Sequence, residues 1–167
     1  MEFFQLLEQR QSVRAYTQQP VDACLIERIL SAVRTAPSAG NFQAYEVYVV
    51  TDRERIAELT AATFNQQFIK DAPTLLVFCS HAARCRYDNP SCWALQDTSI
   101  AATMAHLAIT DLGLATCWIG AFDPSRVARI LEMPSEHSPL AILPVGYPAE
   151  NPPRTERREL GEFVHRV

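Results

Sequence analysis

The chain has 167 residues, 48% of them hydrophobic, a net charge of −4 and a pI of about 5.5. That length and apolar content suit one domain with a real core, and lysines and arginines spread thinly along an acidic chain, with no basic stripe, argue against a nucleic-acid partner. The N-terminus lacks the apolar stretch of a secretion signal and no apolar run reaches membrane-spanning length, so no membrane association is expected and the expected address is cytoplasmic.

In chain order, Glu2 to Gln9 reads as a short helix with Phe3, Leu6 and Leu7 on one side. Val21 to Val33 repeats the pattern through Leu25, Ile26, Ile29, Leu30 and Val33, with Pro20 and Asp22 marking its start. Tyr45 to Thr51, rich in β-branched and aromatic residues, predicts a strand. A helix over Arg53 to Thr63 and a second strand over Thr74 to Ser80 follow. Arg84 to Ser91 turns polar and carries Asn89-Pro90, a loop signal.

Trp93 to Leu112 predicts a long helix, apolar on the face of Ile100, Met104, Leu107, Ala108 and Leu112 and small elsewhere at Ala94, Ala101, Ala102 and Ala105. Such a helix is central or shared with a partner chain. Gly113 is placed to end it, because glycine takes the left-handed conformation at little cost. Ala115 to Ala121 reads as a third strand, Asp123-Pro124 as the start of a helix through Leu131, and Leu140 to Val145 as a fourth strand ending at Gly146-Tyr147-Pro148. The tail from residue 149 to 167, with a proline pair and many charges, reads as an extended arm. Strands interleaved with helices predict an α/β or α+β layered domain.

Five cysteines, an odd number without a C-x-x-C pair, argue for reduced thiols. The irregular spacing of Cys79, Cys85, Cys92 and His81 departs from that of structural zinc sites, so no metal is expected. There is no G-x-S-x-G elbow, H-E-x-x-H pair, phosphate-binding P-loop or G-x-G-x-x-G turn, which leaves hydrolase, zincin, P-loop and Rossmann dinucleotide readings without their defining parts.

Four stretches bear on chemistry. Arg10-Gln11-Ser12-Val13-Arg14 puts two guanidinium groups and a hydroxyl just past a helix end, a combination suited to an anion. Arg154, Arg157 and Arg158 form a second basic group in the tail. Pro37-Ser38-Ala39-Gly40-Asn41-Phe42-Gln43 is either a capped loop or a surface where small residues admit a flat ligand and amides meet its edge. Leu114 to Phe122 closes a predicted strand with small residues whose backbone N–H groups are available to a ligand.

In order and spacing these pieces resemble the FMN-dependent nitroreductase family over nearly the whole chain. The resemblance lies in R-x-S-x-R at Arg10 to Arg14, A-P-S-x-x-N-x-Q at Ala36 to Gln43, and D-x-S-I-A-A at Asp97 to Ala102. It continues in G-L-x-T-C-W-I-G-x-F-D-P at Gly113 to Pro124, L-P-V-G-Y-P at Leu143 to Pro148 and R-R-x-L-x-E-x-V-H at Arg157 to His165. It implies an α+β fold with a mixed, mostly antiparallel sheet flanked by helices, in a domain-exchanged homodimer. One FMN lies at each of two interfacial sites, and the arm reaches over the partner.

The same resemblance implies that Arg10, Ser12 and Arg14, with Gln11 between them, meet the phosphate, ribityl chain and pyrimidine edge, and that Arg157, with Arg154 near it, closes on the phosphate. Pro37, Ser38, Ala39 and Asn41 approach from the other subunit. Asn65 or Gln66 sets an amide near the ring, and Ile119, Gly120 and Ala121 run beside flavin N5 and O4. The chain departs from the family in Gln11, where a second arginine is usual, and in Gln43-Ala44-Tyr45, where Q-P-W is frequent. The implied reaction is hydride transfer from NADH or NADPH to flavin N5, then to a nitroaromatic, quinone or similar small-molecule acceptor, in ping-pong order. The alternatives are a narrow biosynthetic, dehalogenating or flavin-consuming reaction on the same fold, or a non-catalytic FMN carrier or sensor.

Overall fold

The computed structural model describes residues 2–64 and 66–167. Three strands, β1 (Tyr45–Val50), β2 (Thr74–His81) and β3 (His137–Val145), form a sheet in the order β1-β2-β3 with both pairs antiparallel. Central β2 is buried on both faces from Thr74 to Cys79, which explains its unbroken apolar sequence. Side chains alternate across a strand, so β2 divides the core. Leu75, Val77 and Cys79 face Ile56 and Leu59 of α3 (Arg53–Ala61) and Val127 of α5 (Pro124–Ile130). Leu76 and Phe78 face Ile26, Ile29 and Val33 of α2 (Ala23–Val33) and the alanines of α4 (Pro90–Asp111).

The helix signals hold where they are local. Asp22, Asp52 and Asp123 each accept a backbone N–H of the first turn they cap, at 2.9–3.1 Å. Ala94, Ala101, Ala102 and Ala105 of α4 are fully buried, and their small side chains let this 22-residue helix lie close against the sheet. Gly113 takes φ +73°, while Gly113 N–H bonds the Thr110 carbonyl and Leu114 N–H that of Ile109, both at 3.0 Å, a Schellman ending. The long helix starts earlier than its periodicity implies. Pro90, read as a loop residue, occupies the first helical turn, where its missing N–H costs nothing and its fixed φ fits.

The expected third strand is not a strand. Residues 115–121 touch β3 and its continuation only through antiparallel bridges at Ala115 to Gly146 and Ile119 to Ile142. In that register Cys117 lies opposite Pro144, on the side where Pro144 would have to donate. Proline has no N–H, and the ladder stops there.

A seven-residue helix, α1 (Phe3–Gln9), buries none of its residues. Residues 153–167 are exposed throughout, apart from any partner, and carry one short 3-10 turn at Leu160–Glu162. No helix among the described residues is long and apolar enough to cross a membrane.

Candidate functional site

After α1 the chain runs extended and is clamped on both sides. Val13 N–H bonds the Thr116 carbonyl at 3.0 Å, Thr17 N–H that of Tyr147 at 2.9 Å, and Ala149 N–H that of Ala15 at 2.9 Å. The buried Tyr16 hydroxyl donates to the Val13 carbonyl at 2.7 Å. A period of two then puts Arg10, Ser12 and Arg14 on the face opposite buried Val13. Pro152 and Pro153 turn the tail back beside them. Together they enclose a cavity of about 370 Å³ lined by Leu7, Glu8, Arg10, Gln11, Ser12, Arg14, Pro152, Pro153, Arg154, Thr155 and Arg157.

Four guanidinium groups thus face one carboxylate, Glu8. Among the described residues, none of the four pairs with a carboxylate; Glu150 accepts the backbone N–H of Arg14. Burial, and then the positive charge of Arg157, pull the Arg10 pKa below the ordinary guanidinium value. A site that crowds four like charges against a single carboxylate favours an anion. Gln11 Oε1, on the Val13 side of the segment, is buried with no hydrogen-bond partner among the described residues. Arg158 is not part of the cavity, since its guanidinium lies 5.2 Å from the centroid of the Phe163 ring.

Two titratable groups lie behind the arginines. Burial raises the Cys117 pKa against the opposing pull of Arg14, Ser12 and Arg10, so this thiol stays protonated and unreactive. His106 of α4 is buried, its Nε2 has no partner, and burial followed by the charge of Arg10 pushes its pKa down to about 4, with contact to the Thr116 backbone pulling the other way. The unfolded chain takes up this proton near pH 6.5 and the folded chain only near 4, so stability is fully present above pH 6.5 and declines as pH falls. Urea denaturation at pH 7 and pH 4 should show a loss of about 3 kcal/mol from this residue, absent in His106→Leu.

The polar loop from Pro37 to Gln43 is ordered from beneath by Asp97. This α4 residue, 1% exposed, accepts Ala39 N–H at 2.9 Å and Ala44 N–H at 3.3 Å, one on each carboxylate oxygen. Between those anchors Gly40, Asn41 and Gln43 all take positive φ, and Ser38 Oγ accepts Gln43 N–H at 3.1 Å. A side chain at Gly40 would lie 2.7 Å from the Phe42 ring and 2.8 Å from the Tyr87 hydroxyl. Pro37 and Asn41 face solvent and Ser38 and Ala39 are half-buried, so the loop presents a preformed polar surface.

The third group is only partly available. Ile119 is buried and its N–H is spent on the Ile142 carbonyl at 3.0 Å, so of the expected trio Gly120 and Ala121 remain, both exposed. Gln66 donates from Nε2 to the carbonyls of Thr63 and Ala121 at 3.0 and 2.9 Å, which fixes it beside that segment but engages its amide donors. Asn65 lies outside the described residues.

The fold therefore gathers Arg10, Gln11, Ser12, Arg14, Arg154 and Arg157 around one cavity, whereas Pro37 to Asn41 and Gly120 to Ala121 do not line it. Sequence reasoning missed Asp97 beneath the loop, and Thr155 with Leu7, Glu8, Pro152 and Pro153 around the cavity. A lone carboxylate inside an apolar helix was the available signal for Asp97; Thr155 carried none.

Comparison with known proteins identifies the family and the fold. A family model described as "Nitroreductase family" matches residues 7–83 and 57–147. The FMN reductase [NAD(P)H] of Bacillus subtilis is 30% identical over 93% of this chain and 70% of its own. The oxygen-insensitive NADPH nitroreductase of Salmonella typhimurium is 28% identical over 96% and 72%. The solved structure of Bacillus megaterium NfrA2 superimposes with a TM-score of 0.92 at 25% identity, covering 98% of this chain and 73% of the other. Antiparallel sheet, flanking helices and family match agree, and the chain belongs to the nitroreductase family.

Proposed function

We propose that the protein is an FMN-dependent oxidoreductase, drawing on NADH or NADPH and reducing a nitroaromatic, quinone or similar small acceptor as a homodimer in the cytoplasm. The observation that carries this reading is the cavity in which four guanidinium groups gather with no carboxylate paired to any of them among the described residues. When bound, FMN supplies the hydride chemistry in both half-reactions. Arg10, Arg154 and Arg157 would hold its phosphate by charge-assisted hydrogen bonds, with Ser12 and Gln11 placed for the ribityl hydroxyls. Arg14 would set positive charge against the end of the ring system where negative charge collects on reduction. No protein acid or base is needed.

The dimer is supported by what one chain leaves undone. Helix α1 exposes Phe3 (58%), Phe4 (77%) and Leu7, the arm exposes Leu160 and Phe163, and the Asp97-anchored loop does not line the cavity of its own chain. Apolar surface of this kind calls for cover, and a second copy that brings its loop to the first copy's cavity supplies both needs. Five unpaired thiols fit a reducing compartment.

The protein should purify yellow, or take up one FMN per chain when supplied, and should oxidise NADH or NADPH faster once a nitroaromatic or quinone is added. Colourless protein that gains no flavin absorbance overturns the reading. Tight flavin binding without turnover on any donor points instead to the carrier or sensor alternative.

A further inference from the structure

A second constellation lies on the sheet, on the face turned toward α3 and α5 and away from α4. Glu46 is the second residue of β1, His81 the last of β2 and His137 the first of β3. Their meeting depends on the register shift between Phe78 and Cys79. Continued without it, the pairing of Phe78 with Ala141 would set His81 opposite Ser138; one extra residue in β3 sets it opposite His137. A bulge re-aims the side chains beyond it. The imidazole centroids are 4.7 Å apart, His81 Nδ1 lies 2.8 Å from Glu46 Oε1, and His137 Nδ1 lies 2.6 Å from the Tyr48 hydroxyl.

We propose that Glu46, His81 and His137 form a binding site for a divalent transition cation, with Zn²⁺ as the reference ion. One ring nitrogen from each histidine and one carboxylate oxygen all lie within 4.8 Å of one another. Tetrahedral zinc at about 2.1 Å from its ligands spaces them by roughly 3.4 Å, so binding draws the widest pair together by about 1.4 Å at most, within reach of side-chain torsions. Cross-strand hydrogen bonding accounts for the Glu46–His81 and Tyr48–His137 pairs. It does not account for two imidazoles brought together by a bulge, each with its Nε2 lacking a hydrogen-bond partner among the described residues.

The surroundings suit an ion that keeps water. His81 and Glu46 side chains are 20% and 34% exposed, sheltered yet open to entry, and three protein ligands leave a fourth position for solvent. Tyr48 supplies the outer hydrogen bond that fixes a ligating imidazole. Two nitrogens and one oxygen favour zinc-like ions over Mg²⁺ or Ca²⁺, which take oxygen ligands. Such an ion would tie the beginnings of β1 and β3 to the end of β2. Because His81 N–H bonds the Ala44 carbonyl at 3.0 Å, it would also brace the end of the loop that Asp97 anchors.

The test is calorimetric titration of Zn²⁺ into tag-free, flavin-loaded protein first stripped with a chelator. One ion per chain is expected, with no uptake of Mg²⁺ under the same conditions. His81→Ala and His137→Ala should each abolish uptake, and Glu46→Gln, which keeps the side-chain shape and guards against a folding artefact, should weaken it. Tyr48→Phe should lower affinity about tenfold. The Cys24→Ser/Cys92→Ser double variant, which removes the two exposed thiols, should bind as the parent does. No uptake at about 100 μM Zn²⁺, uptake that survives both histidine substitutions, or uptake that disappears with the thiols overturns the site.

Discussion

Replacing Arg10 and Arg157 together with alanine should weaken FMN binding by about three orders of magnitude, enough for the protein to purify colourless. Each guanidinium that meets a phosphate oxygen contributes roughly 1.5–3 kcal/mol, and two such losses multiply the dissociation constant by about 10² to 10⁴. The variant should not lose stability without flavin. Arg10 is held at a lowered pKa by burial and by Arg157, so empty protein carries a repulsion that the double substitution removes. Its flavin-free melting temperature should stay level or rise while affinity falls, a combination that a merely structural arginine pair would not give. Arg158→Ala is the matched control, because that side chain rests on Phe163. Parent affinity should also weaken with added salt, since the cavity is open to solvent and its attraction is screened. Quenching of FMN fluorescence measures all of these. Unchanged affinity in the double variant would remove the cavity from the flavin reading.

What could be read before folding was whatever depends on near neighbours along the chain. Ile26, Ile29 and Val33 declare the buried face of α2 by spacing alone, and Asp22, Asp123 and Gly113 end helices by chemistry confined to a few residues. R-x-S-x-R was legible for the same reason, because its two guanidinium groups and hydroxyl fall within five residues. Relations between distant segments were not. The failure of residues 115–121 to pair as a strand is decided by Pro144, which shows as a defect only once the register sets it opposite Cys117. Pro90 looked like a loop residue because proline ends helices more visibly than it begins them. The bulge that sets His137 against His81 belongs to the pairing of two strands and to neither sequence separately. Ile119 seemed free to donate until the fold committed its N–H to Ile142.

Asp97→Ala should cost about 3 kcal/mol of stability and, separately, disorganise the loop from Pro37 to Gln43. The carboxylate is buried and accepts two backbone N–H groups, and each donor left unpaired away from water costs about 1–3 kcal/mol, the larger share falling on fully buried Ala44. Asp97→Asn keeps the volume but turns an amide N–H toward one of those donors, so it should recover only part of the loss. Amide exchange should accelerate between residues 38 and 44 while β2 and β3 remain protected, which separates a loosened loop from general unfolding. If that loop completes the neighbour's cavity, Asp97→Ala damages one half of each site and the Arg10→Ala/Arg157→Ala pair damages the other. Co-expressing the two variants then gives mixed dimers in which one site carries both defects and its twin carries neither. With random assortment about half the dimers are mixed and each has one sound site, so roughly a quarter of parental activity should return to a mixture of two nearly inactive proteins. A cavity completed within its own chain would recover nothing on mixing, and that result would refute the shared site while leaving the four arginines and their anion in place.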